Sequence, residues 1–232
     1  MGKSCYEKSE ENIKYPTNNE IFDEINRIFG ILFSKKNKKI TKEEFNNFLK
    51  YMKDYENQLY FLEKMNKARS FGRVQKDKFQ YLEKIFAFIF NLFNLDNFSK
   101  EQLKIVQLIL ILSKTFYYDK GIIKTKKIYL IENLKSQTIL KKIKFWRGLL
   151  EFIIKEDINN AKINENFDLE ALKTNTAYGK MLYVISEMVE IGLEKEEIEI
   201  FIQDSFEKYT IPEPLQNIVN SVFEEQMSKK FK

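Results

Sequence analysis

The sequence predicts an all-α protein, a single multi-helix bundle of about eight to eleven helices, on three observations. Of 232 residues 44% are hydrophobic, ample for a core. Only seven are Gly and three Pro, so loops are short. Apolar positions recur at spacings of three and four almost throughout, the period of amphipathic helices.

Residues 1–16, "MGKSCYEKSEENIKYP", read as a mobile polar leader, and 17–229 as one helical domain. Asn18 or Asn19 is the expected cap of a first helix, "EIFDEINRIFGILF", whose Ile21, Ile25, Ile28, Phe29 and Leu32 share a face. "KKNKK" follows as a solvated basic turn. In "ITKEEFNNFLKYM", Thr41 and Glu44 have capping-box spacing, and Phe45, Phe48, Leu49 and Met52 form the stripe. The same stretch has the look of an EF-hand exit. With Glu44 at the last loop position, however, Phe33, Lys35 and Asn37 fall where the first oxygen ligands belong, and so poor a set of carboxylates does not hold calcium.

A third helix lies around "NQLYFLEKMNKA", with a turn at Gly72. "KDKFQYLEKIFAFIFNLFNL" is apolar on nearly every side, as befits a central helix. Ser99 and Gln102 box the start of "KEQLKIVQLILILSKTFYYDKG", expected to run to about Gly121 and, with the preceding helix, to form the middle of the core. Its apolar run is too short for a membrane span and is broken by Gln107 and Ser113. "KKIYLIENL" reads as a brief helix or an extended piece entering one. "NNAKINENFDLEALKTNT" reads as an exposed connection of about twenty residues, long for a compact domain, or as one partly helical around Leu169. Three helices close the chain: "AYGKMLYVISEMVEIG", stopped by Gly192, then "EKEEIEIFIQDSFEKY", then one from about Pro214 to Met227.

The single tryptophan lies in "KIKFWRGLLEFIIKED". At 100° per residue, Ile139, Ile143, Leu149, Leu150 and Ile153 fall within about 60° of Trp146. Trp146 is therefore expected in the core. Lys144, Gly148, Glu151 and Lys155 take the opposite face, with Arg147 at its margin.

The chain has no His and one Cys, Cys5. That excludes His general bases, Ser/His/Asp and Cys/His catalytic sets, zinc sites of imidazole and thiolate, and an internal disulfide. The adjacent acids of "KEEIEIF" and "FEEQ" fall on exposed helical faces, where ion pairing accounts for them. No enzyme activity, cofactor or metal is expected. The net charge is +5, but 35 of 39 cations are Lys. Base and phosphate readout favours the bidentate Arg fork, so a nucleic-acid partner is not expected.

"TFYYD" followed by "KKIYLIENLKSQTILKKIKFWRGLLEFII" resembles the SET-binding-factor (SBF) domain, which lies behind the DENN region of large myotubularin-related pseudophosphatases. It resembles still more a small eukaryotic protein family known from neuronal cDNAs. The matching positions are Tyr117, Tyr118, Lys127, Ile128, Tyr129, Leu130, Leu134, Phe145, Trp146 and Gly148. The likeness extends over about residues 20–225. It departs at Gln137, Thr138 and Leu140, where relatives often show His-Pro and an aromatic residue, and in a shorter insert before Lys127. The resemblance implies a helical domain without catalysis. In the larger relatives the domain accompanies a Rab-directed exchange module and membrane-binding parts, which implies a role in membrane traffic.

The expected function is that of a non-catalytic interaction module or small scaffold in the cytoplasm, with a protein partner of unknown identity. Its candidate partner surface is Lys35, Lys36, Lys38 and Lys39, Lys124, Lys126 and Lys127, and Arg147. The alternative is a membrane-associated or cytoskeletal or ciliary protein. In "MGKSCYEK" Gly2 is positioned for myristoylation and Cys5 for palmitoylation, with Lys3 and Lys8 beside acidic headgroups, although Tyr6 replaces the usual Ser or Thr.

Overall fold

The computed structural model describes residues 17–34, 38–94, 97–121, 126–161 and 169–230. Helix α1, Asn18–Leu32, is capped by Thr17, not by Asn18 or Asn19. Thr17 is extended and has a Glu three residues on, so both halves of a box close: Glu20 Oε2 accepts from the Thr17 N–H at 2.7 Å, and Thr17 Oγ1 from the Glu20 N–H. The same device starts α2, Lys42–Tyr51, at Thr41 and Glu44, and α5, Lys100–Ser113, at Ser99 and Gln102. Between them lie α3, Tyr55–Lys67, capped by Asp54, and α4, Lys76–Asn91.

Helix α5 stops at Ser113, well short of Gly121. Ser113 and Thr115 turn their hydroxyls onto the carbonyls of Leu110 and Ile111, which competes with helix continuation. The chain then enters strand β1, Tyr117–Lys120, paired antiparallel with β2, Lys126–Tyr129, in the register Tyr117 to Tyr129 and Tyr118 to Ile128. These aromatic and β-branched residues suit a strand better than a helix end. The hairpin is the one sheet among the described residues. It leads into α6, Leu130–Leu134, a 3-10 turn at Thr138–Lys141, and α7, Ile143–Asn160.

Helix α8, Leu169–Ile191, begins eight residues ahead of Ala177 and takes in the part of the expected connection from Leu169 onward. It stops where expected: Gly192 takes φ 87°, and the Leu193 N–H donates to Met188 C=O at 3.1 Å. Helices α9, Lys195–Tyr209, and α10, Glu213–Lys230, follow.

One cluster of buried apolar side chains runs from Ile25 of α1 to Met227 of α10. Helix α4 packs on α1, α6 and β1, while α5 packs on α3, α6 and α7, so the two greasiest helices share α6 and each joins further elements of its own. Helix α7 meets α5, α8 and α9, and α8 carries α9 and α10. No helix among the described residues is long and apolar enough to cross a membrane.

Candidate interaction surface

The resemblance motif folds into the hairpin, α6 and the start of α7. Leu130, Leu134, Phe145 and Trp146 are fully buried. The Tyr118 ring meets Phe79 edge-on at 4.7 Å, and the rings of Tyr117 and Tyr129 lie 5.4 Å apart. Trp146 donates its indole N–H to Leu140 C=O at 3.0 Å and packs against Phe145. The motif's apolar side chains thus meet one another and the core.

The polar side of α7 is engaged by α9. Arg147 pairs with Asp204, and Glu151 bridges Lys155 and Lys208, each at 2.6 Å. Those two ammonium groups, Lys155 foremost, hold the Glu151 carboxyl down to about 2. Arg147, a candidate partner residue, therefore braces one helix against another. Lys141 likewise donates to the C-terminal carbonyls of Ile191 and Gly192, closing the end of α8.

Of the remaining candidate cations, Lys38, Lys39, Lys126 and Lys127 are among the described residues. Lys35, Lys36 and Lys124 lie outside the described residues, as do Gly2 and Cys5. The basic turn after α1 is fastened to α4 at both ends. The buried Lys78 donates its ammonium to Ser34 C=O, and Tyr81 donates its hydroxyl to Ile40 C=O at 3.1 Å. Exposed Lys38 and Lys39 are thereby laid beside Asp77, Gln80 and Lys84, and together they line a cleft of about 220 Å³. Lys38, Lys39 and Lys84 make no ion pair with a carboxylate among the described residues. Asp77 is the one acid on the cleft wall.

A second cleft is lined by Arg73, Gln75 and Lys76, ahead of Asp77 in sequence, and by Tyr118 and Asp119 of β1. The hairpin sets Lys126 opposite Lys120 and Lys127 opposite Asp119, with Lys127 Nζ 4.5 Å from the centre of the Tyr117 ring. Sequence reasoning missed Arg73, Lys76 and Lys84. For Lys84 a signal existed in the spacing of residues 77, 80 and 84, the polar stripe of α4.

The charge is segregated along the chain. Residues 17–148 hold 27 cationic and 14 anionic side chains, whereas 149–232 hold 9 and 17. The basic clefts lie in the first portion, while α8, α9 and α10 carry the acidic excess.

One partly buried ionic cluster joins Lys114, at the C-terminal end of α5, to α8. Lys114 reaches Glu187 at 2.7 Å and Glu190 at 2.5 Å. Burial pushes the Glu187 carboxyl up despite Lys114, and its second oxygen has no hydrogen-bond partner. Lys114 stays high because its bonds to the two carboxylates outweigh its own burial. The neighbouring groove, between Lys135, Ser186, Val189, Glu190, Gln226 and Lys229, carries Glu190 as its one acid and so no acid pair for catalysis. No group of three or more His, Cys, Asp or Glu placed to hold a metal occurs among the described residues.

No family model, curated protein or solved structure matches the chain.

Proposed function

We propose that the chain is a non-catalytic α-helical interaction module, a small cytoplasmic scaffold that holds an acidic segment of a protein partner in the basic cleft at the start of α4. The observation that carries this reading is the placement of Lys38, Lys39 and Lys84 around one cleft without carboxylate partners. By contrast, the charged side chains between α7 and α9 compensate one another. Unpaired cations around a cleft attract an acidic chain and speed its encounter. The likeness to the SBF domain supports the non-catalytic reading and a place in membrane traffic.

The test is a tagged copy in its own cells, beside the variant carrying Lys38→Glu, Lys39→Glu and Lys84→Glu. A stoichiometric partner recovered with the first and lost with the second, at unchanged thermal stability, is the expected result. A partner kept by the variant, or no stoichiometric partner at all, overturns the reading. The alternative, an acylated peripheral membrane protein or a cytoskeletal or ciliary component, draws on Gly2 and Cys5. The intact mass of the natural protein decides acylation, and microscopy separates the locations.

A further inference from the structure

The turn between α3 and α4 presents Phe71, the most exposed large hydrophobic side chain among the described residues at 63%. An aromatic ring left in water at a turn tip has lost the burial that ordinarily justifies it. The turn holding it is rigid. Gly72 takes φ 38°, its carbonyl accepts from the Tyr117 N–H at 2.9 Å, and the Val74 N–H donates to Tyr117 C=O at 2.8 Å. The turn is thus sewn to the edge of β1.

Cations lie beside Phe71 in sequence and on the adjoining hairpin. Arg69 and Arg73 flank it in sequence and are exposed. The Tyr117 ring edge approaches Gly72, and Lys127 sits over that ring, so a third cation lies one ring away. Lys126 and Lys120 face each other on the hairpin beyond. Among the acids nearby, Asp119 is taken by Arg73 at 2.7 Å. Arg69 is held by a neutral partner, the Asn66 carbonyl oxygen.

We infer that Phe71, with Arg69 beside it and Lys126 and Lys127 on the adjoining hairpin, forms a contact for an anionic phospholipid surface, in which the ring enters the headgroup boundary and the cations meet the lipid charges. The chemistry distinguishes this from a protein-docking patch. A protein interface needs a contiguous apolar centre, and the neighbours of Phe71 are Arg69, Ser70 and Arg73. A bilayer supplies the apolar medium itself, so one aromatic side chain with several cations suffices. A preformed turn loses little freedom on insertion. This contact goes beyond the protein-interaction reading and does not depend on it.

The experiment is co-sedimentation of the full, unacylated chain with vesicles of phosphatidylcholine alone and of phosphatidylcholine with phosphatidylserine. Binding to the second only, falling with added salt, is expected. Phe71→Ala should weaken it about tenfold, and Arg69→Glu with Lys126→Glu at least as much, with thermal unfolding unchanged. In Phe71→Trp the added emission should shift to the blue on mixing with the anionic vesicles, against the constant background of buried Trp146. No binding to the anionic vesicles, full binding by Phe71→Ala, or an unshifted emission overturns the inference. So does equal, Phe71-independent binding to a soluble single-stranded oligonucleotide or an acidic peptide, which would reveal charge attraction without insertion.

Discussion

Trp146 shows how a single side chain can be both rare and structural. It is fully buried and has its one polar atom satisfied by Leu140 C=O. Trp146→Ala leaves a large cavity and frees that carbonyl, so urea unfolding should show a loss of about 3–5 kcal/mol. Glu187 is the opposite kind of residue, a buried acid incompletely satisfied. Its raised carboxyl binds a proton more tightly in the folded chain than in the unfolded one. Its contribution is therefore fully present below the ordinary value of 4.5 and is lost as pH rises through the raised one. The groups facing it are Lys114 from α5 and Tyr183 and Glu190 on its own helix, and Lys114 keeps Glu190 in either variant. Urea unfolding of Glu187→Gln beside the parent should show the variant gaining on the parent as pH rises from 4 to about 8. A difference that does not vary with pH contradicts this assignment. Trp146 was legible from its position mid-stripe. Glu187 was not, because its carboxyl is raised by burial, which depends on packing against elements distant in sequence, as its bond to Lys114 73 residues away shows.

At the scale of elements, stripes and capping boxes identified the helices, since both are local patterns in which residues three and four apart meet. Thr17 was missed as the first cap because Asn18 and Asn19 are stronger caps in isolation, whereas Glu20 completes a box only with Thr17. Of the hairpin, β2 was legible as an extended piece entering a helix, the course taken from Lys126 into α6, whereas β1 and the pairing were missed for a different reason. The aromatic run of β1 continues the apolar pattern of α5, and nothing local announces that Tyr117 pairs with Tyr129. Helix α7 carries the clearest test of propensity. A Cβ on Gly148 would meet Leu103 side-chain atoms at 3.8 Å, an ordinary contact. Gly148→Ala should therefore stabilise the protein by roughly 0.5–1 kcal/mol, read as a higher urea midpoint. A lower midpoint would show that α5 and α7 need the gap.

For the whole molecule, the segregation of charge organises the account. The acidic portion binds its lysines internally, as Lys195 does with Glu224 at 2.7 Å and Lys208 with Glu151. The basic portion leaves Lys38, Lys39 and Lys84 around an open cleft. The basic turn was legible as a cationic stretch, but its meeting with Lys84 depends on Lys78 and Tyr81 fastening the turn onto α4. Such a junction joins residues more than forty positions apart and leaves no periodic trace. The most direct measurement is lysine-directed cross-linking of the complex recovered from native cells, mapped by mass spectrometry. Intermolecular links at Lys38, Lys39 and Lys84 are predicted. Links confined to Lys195, Lys208 and Lys229, on the acidic side, would contradict the assignment of the interaction surface.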